Sequence, residues 1–451
     1  LCRYFLCRYC SQGVSAGKHM TNKTIETLEP LEPLESLETS QPRVFYGYIL
    51  VAYSFSIGFL ASSFFLHSRG IFFPLWMEEF GVDRTQLSLV VTLTLFTGSC
   101  LAPIIGNLLD RLSIRLISTL GACWMATGYL LLQQVDSFAG FAVIMIGFQG
   151  VAWGTLGPLA QTKLMVNWFT RNRGMAIGVA IMGISVAGVI MPLAATFLAE
   201  TLGWRDTYAL YSALLLLLVV PATLYLVRQA PADLGLGADG DSPLSQPTSQ
   251  PSAPQTQVQV YREFLTSREF WTVVLTFGMM NGVYSAMITH LPSYLSMDLD
   301  FSLYDAAYAL GVSGACAIVG KIVFGWLMDH FNAKVTVMLT VLAYFCSMLI
   351  LMTFADYTAI LIASGLFGLA FGAMIPVRSV LLSRLFGVAK FSRVNGLLAF
   401  FLAPATFWTV IAGYVADHHG YVTIFQIWAL AFLVAGAITL MIQFPNQDLT
   451  D

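Results

Sequence analysis

Three bases, Lys163, Lys321 and Arg378, fall inside stretches that are otherwise apolar, with no acid at comparable depth. A base in hydrocarbon surroundings costs about 2.5 to 3.5 kcal/mol on insertion scales, so it faces a cavity or a partner. With no buried carboxylate to pair with, an incoming anion is the natural partner. Arg378 is the foremost candidate, two residues after Pro376 and well before Arg384, which marks the surface. Its planar guanidinium can hold a carboxylate through two parallel hydrogen bonds, or can serve the frame by bonding helix-end carbonyls. Lys321 lies about one turn inside the end of its run; both it and Lys163 can also be read as lysines whose heads snorkel to the interface. His67 and His290 sit near the ends of theirs, where an imidazole can bind an anion when charged and release it when neutral, or cap a helix. Tyr53, Ser56, Gln149, Gln161, Asn281 and Tyr284 are polar groups in apolar runs, free to face substrate or to bond a neighbouring helix.

The elements that position these groups are membrane helices. Of 451 residues, 57% are hydrophobic and 10% charged, and mean hydropathy is +0.73. Soluble domains carry about 25% charge, so a water-soluble globular protein is excluded. Twelve apolar runs reach the roughly 20 residues a spanning helix needs, six before residue 228 and six after 269. The expected fold is an all-α membrane protein of two six-helix bundles, 44–228 and 269–444, with tails 1–43 and 445–451. The linker 229–268 is rich in Pro, Ser and Gln between Asp239 and Gln257. The first tail repeats Leu-Glu around Pro30 and Pro33, cannot bury a face and is expected to be disordered, with Met20 as an alternative start.

Bases assign the sides. With the N-terminus inside, Arg111, Arg115, Arg171, Arg173, Arg228, Arg262, Arg268, Lys334, Arg384, Lys390 and Arg393 are cytoplasmic, against only Arg69, Arg84 and Arg205 opposite. The expectation is a multi-pass protein of the plasma membrane, or of a Gram-negative inner membrane, with both termini cytoplasmic. A net charge of −3 offers no field for nucleic acid. Seven cysteines show no metal-ligand spacing, and there is no phosphate-cradling loop or catalytic set. No enzyme activity, cofactor or metal is therefore expected.

The segment after the second run reads Gly106, Leu108, Asp110, Arg111 and then Arg115; after the eighth it reads Gly325, Leu327, Asp329, His330 and then Lys334. Two copies at one place in two halves make an internal repeat, with Asp110, Arg111, Asp329 and Lys334 as candidate conformational-loop residues. The pattern resembles the signature loop of the major facilitator superfamily, with Ser113 where a glycine is usual. Further runs are similar to the monocarboxylate porter and oxalate:formate antiporter branch: Gly70 to Leu75 before Glu79-Phe80-Gly81, Asn167-Trp168-Phe169 with Arg173-Gly174, Ala232 to Leu236, and His290 to Leu295.

That resemblance implies two bundles rocking about a central site, monomeric function and a small organic anion as substrate. It places Lys321 on the substrate-binding arginine of the eighth helix and His67, across a two-residue gap, on the lysine of the first. Tyr53, Asn281 and Tyr284 fall on helices that line the cavity in this fold. The porters' aspartate one turn before that arginine falls on Ala317, which removes the usual proton carrier and leaves symport with protons and anion exchange both open. Efflux of amphiphilic drugs is a rival reading, but the arginine of the drug-efflux branch falls on Ile146. A non-transporting sensor on the same scaffold is another, which would show binding without flux.

Overall fold

The computed structural model describes residues 45–171, 173–240, 257–387 and 391–441; the tails and the centre of the linker lie outside them. Among the described residues there is no strand. The helices long and apolar enough to cross a membrane are α1 (Tyr46–Phe80), α2 (Arg84–Leu109), α3 (Ile114–Gln133), α4 (Phe138–Trp168), one 53-residue element (Gly174–Leu226), α7 (Arg268–Asp298), α8 (Leu303–Met328), α9 (Ala333–Thr353), α10 (Tyr357–Phe386), α11 (Val394–His419) and α12 (Tyr421–Leu440). At 1.5 Å per residue the 53-residue element would be about 80 Å long, far beyond a hydrocarbon core of roughly 30 Å. It does not continue straight: Gly203 takes φ 77° and ψ 162°, a break only glycine accepts cheaply. The legs on either side, 174–202 and 204–226, are α5 and α6. Eleven continuous apolar helices among the described residues thus make the twelve expected crossings.

Helix starts obey the polar punctuation of the loops. Asp83, Ser113, Ser137, Ser267, Ser302, Asn332 and Asp356 each place a side-chain oxygen on a first-turn N–H. The two repeat segments use this identically: Ser113 caps α3 and Asn332, at the matching offset, caps α9. A capping side chain is therefore the physical reason for the serine where the resembling family carries glycine.

Packing divides the faces that join the two halves. On the side opposite the linker, the far side, they press together. A Cβ on Gly413 of α11 would lie 2.7 Å from the Arg84 carbonyl oxygen of α2, and the contact continues to mid-depth, where one on Gly314 of α8 would lie 2.6 Å from the carbonyl oxygen of Gly188 of α5. On the linker side the same helices part. Cβ atoms on Gly106 of α2, Gly174 and Gly178 of α5, and Gly396 of α11 would meet nothing within 4 Å. The structure is closed on the far side and open toward the linker.

Candidate functional site

α1 does not stop at residue 66, where its first apolar run ends. It passes through a π turn, Ser63–His67, and continues to Phe80. A π turn adds a residue to the helical repeat and so rotates the face presented by the next turn of helix. Arg69 lies in that next turn. Counted from sequence among the far-side bases, Arg69 is corrected by the structure: it is 3% exposed and sits between the halves. Its Nη2 donates to Ser285 Oγ of α7 at 3.3 Å, and its Nε has no hydrogen-bond partner among the described residues. Sequence reasoning missed this group, although the apolar stretch Ile71 to Trp76 lies between it and Glu78 and signals that the helix continues.

His67, 6% exposed, places Nε2 3.2 Å from the Ile184 carbonyl of α5 and feels the charges of both Arg69 and Lys321. Lys321 of α8 donates from Nζ to Ser185 Oγ, one residue along α5. Arg69, His67 and Lys321 thus gather where α1, α5 and α8 meet. Tyr284 of α7 lies close enough to Arg69 to interact with its charge, and its ring stacks on Phe371 of α10, centroids 3.3 Å apart. Arg378, seven residues beyond Phe371, projects from the same face of α10 about 10 Å nearer the linker side. Its Nε is likewise buried without a partner among the described residues. Asn281, one turn before Tyr284 on α7, is half-buried. No ion pair joins Arg69, Lys321 or Arg378 to a carboxylate among the described residues.

Other candidates go elsewhere. The Tyr53 hydroxyl bonds Thr223 Oγ1 at 2.8 Å, joining α1 to α6, and Ser56 is exposed and bonds its own helix. Gln149 and Gln161 donate to the Met125 and Leu156 carbonyls. His290, 2% exposed, is enclosed by protein: Nε2 lies 3.0 Å from Ser88 Oγ and from the Thr409 carbonyl, and Nδ1 lies 3.0 Å from the Tyr421 hydroxyl. The side chains of Asp110 and Asp329 lie outside the described residues. Arg111 is exposed and Lys334 half-exposed at the linker-side surface, while Arg115 Nε donates to the Val227 carbonyl at 2.8 Å.

The far side is locked across the halves. Arg84 at the start of α2 pairs with Asp298 at the end of α7, and its guanidinium carbon lies 4.9 Å above the Tyr421 ring. Asp417 of α11 accepts from the backbone N–H of Arg84 and Thr85, at 3.3 and 2.8 Å, and from Thr85 Oγ1 at 2.6 Å. It therefore caps a helix of the other half. On the linker side, Trp168 Nε1 and Asn167 Nδ2 donate to the Arg228 and Gln229 carbonyls, and Asp239 accepts from the Thr170 and Arg171 N–H. The motifs around Asn167 and Ala232 are thus a knot fastening the start of the linker to α4.

Twelve crossings in two halves, parted on one side and locked on the other around buried cations, define a multi-pass membrane transporter fold. The chain belongs to the Major Facilitator Superfamily, whose sequence profile matches residues 44–400 and 310–448. It is 25% identical over 386 residues to monocarboxylate transporter 13 of Rattus norvegicus, covering 82% of this chain and 83% of that one. It is 22% identical to an uncharacterized transporter of this superfamily, YcxA of Bacillus subtilis (strain 168), over 91% and 97% of the two chains. The crystal structure of a bacterial homolog of the human lysosomal transporter Spinster, inward-facing and unoccupied, superposes with a TM-score of 0.70 at 16% identity, covering 89% of this chain and 97% of that one. The protein is a transporter of this superfamily, with a small-molecule substrate, and not an enzyme.

Proposed function

We propose that the protein carries a small organic anion of the monocarboxylate type by rocking its two halves about the region between Arg69, Lys321 and Arg378. One observation carries this reading: three cations lie in the membrane-embedded interior with no carboxylate paired to any of them among the described residues. Burying a charge without a counter-charge is costly, and an arriving carboxylate supplies one. Arg69 and Arg378 offer planar donor forks, Lys321 a point charge, and Tyr284 and Asn281 neutral polar contacts. The kinship with monocarboxylate transporters supports the substrate class.

Exchange of one anion for another fits better than proton symport. Ala317 offers no proton carrier, the His290 ring has hydrogen-bonding partners at both nitrogens, and His67 lies beside two cations, Arg69 and Lys321, that oppose its protonation. The excess of bases on the linker side supports a cytoplasmic linker, and moving Arg69 to the interior sharpens that asymmetry. The conformer is then inward-open, in a plasma-membrane protein that works as a monomer with both termini inside.

The test is uptake of a labelled panel of mono- and dicarboxylates into proteoliposomes, with and without preloaded unlabelled anion and with and without an imposed pH gradient. Stimulation by preload alone supports exchange, and stimulation by an inward proton gradient alone restores symport. Uptake of no anion, with uptake of cationic amphiphiles instead, overturns the proposal in favour of drug efflux.

A further inference from the structure

Between Arg69 and the far-side lock runs an unbroken series of polar contacts that crosses from one half to the other three times. Arg69 of α1 donates to Ser285 Oγ of α7, which also accepts from Thr409 Oγ1 of α11, each at 3.3 Å. The Thr409 carbonyl then faces His290 Nε2 at 3.0 Å, one and a half turns farther along α7 than Ser285. Ser88 Oγ of α2 lies 3.0 Å from the same nitrogen. With the proton on Nε2, shared between Ser88 and Thr409, Nδ1 accepts from the Tyr421 hydroxyl at 3.0 Å. This assignment satisfies the whole ring in its neutral form. The Tyr421 ring carries the Arg84 guanidinium, and Arg84 holds Asp298, while Asp417 holds the backbone of Arg84 and Thr85.

We propose that His290 is a positioning residue that transmits the occupancy of Arg69 to the far-side lock. The inference rests on the reading of Arg69 as an anion-binding group. An anion arriving at Arg69 competes with Ser285 for its Nη2 donor. Ser285 then turns toward Thr409, and the line of contacts that fixes His290 against Ser88 slackens. The bond from His290 to Ser88 of the first half is among those that must break for the far side to open, together with the Arg84 and Asp417 contacts. A bound anion thereby eases one of the contacts that separate the inward-open from the outward-open state. Coupling of this kind requires two arrangements of one element biased from both ends, and His290, bonded to both halves, is that element.

The experiment reads the far side without any substrate, so its failure and failure of the anion reading are distinguishable. Thr92 is fully buried one turn below Ser88, where Thr92 Oγ1 donates to the Thr406 carbonyl of α11. In a background with the native cysteines replaced, Thr92→Cys is labelled from the far side by a membrane-impermeant thiol reagent in proteoliposomes of known orientation. Ser285→Ala and His290→Leu should each raise the labelling rate about tenfold, and His290→Gln, which keeps a donor and an acceptor, should raise it less than His290→Leu. The double variant Ser285→Ala with His290→Leu should label no faster than the faster single, because both cut one path. Multiplied effects in the double variant, near a hundredfold, would overturn the proposal, as would a rate within twofold of the parent for Ser285→Ala. If His290→Leu does not fold, Ser88→Ala takes its place in the same cycle with the same expectations.

Discussion

Asp417→Ala is expected to move the protein out of its inward-open state. The carboxylate lies on α11 but caps α2 in the other half, accepting from two backbone N–H groups and one hydroxyl, at 3.3, 2.8 and 2.6 Å. These bonds exist only while the far side is closed. Loss of an N-cap acceptor costs about 0.5 to 2 kcal/mol, and the exposure of this site keeps the total near 1 to 2 kcal/mol. A shift of that size changes the ratio of the two conformers by roughly 5- to 30-fold. Spin labels on Gly106→Cys and Gly396→Cys, at open positions on α2 and α11, report the linker-side separation as a distance distribution. The parent should show mainly the long distance, and Asp417→Ala should raise the short-distance population by that factor. Asp83→Ala is the control: Asp83 caps α2 from its own half, at 2.6 Å to the Gln86 N–H, so its loss weakens both conformers alike. Populations unchanged within twofold in Asp417→Ala, or shifted equally by Asp83→Ala, would refute the reasoning.

The same contacts predict three further outcomes. Tyr53→Phe removes a buried bond to Thr223 and should lower stability by about 1 kcal/mol in detergent melting curves while leaving the apparent KM for anion within twofold. Gly314→Val places new atoms against the α5 backbone at Gly188, an overpacking cost of about 1 to 3 kcal/mol, and should abolish rocking, read as lost uptake by protein that still reaches the membrane. Trp168→Phe deletes the donor to the Arg228 carbonyl and should lower the melting temperature with uptake unchanged, separating the linker knot from the transport path.

Much of the fold was legible because bilayer thickness imposes a length on every helix and the loops mark the ends. The repeat around Asp110 and Asp329 was legible from spacing, and the structure adds that Ser113 and Asn332, at matching offsets within it, are helix caps. Two things were hidden. The first run of 20 apolar residues ends near residue 66, so Arg69 reads as a loop base; only the continuation of α1 through a π turn brings it inside. His67 and His290 look equivalent in sequence, each near the end of an apolar run. Tertiary packing separates them, setting one beside Arg69 and Lys321 and the other in a network of Ser88, Thr409 and Tyr421. Spacing along one helix cannot report contacts made by four others.

The central claim, that unpaired interior cations receive the substrate's carboxylate, is tested most directly on Arg69. Initial uptake of the best-transported carboxylate of the panel is measured for parent, Arg69→Gln and Arg69→Lys proteins at equal reconstituted amounts. The account predicts a fall in kcat/KM of at least a hundredfold for Arg69→Gln, since hydrogen bonds to a charged partner contribute about 1.5 to 3 kcal/mol each and two are lost, with partial recovery in Arg69→Lys. A folded Arg69→Gln protein that transports the anion at the parental rate would contradict it.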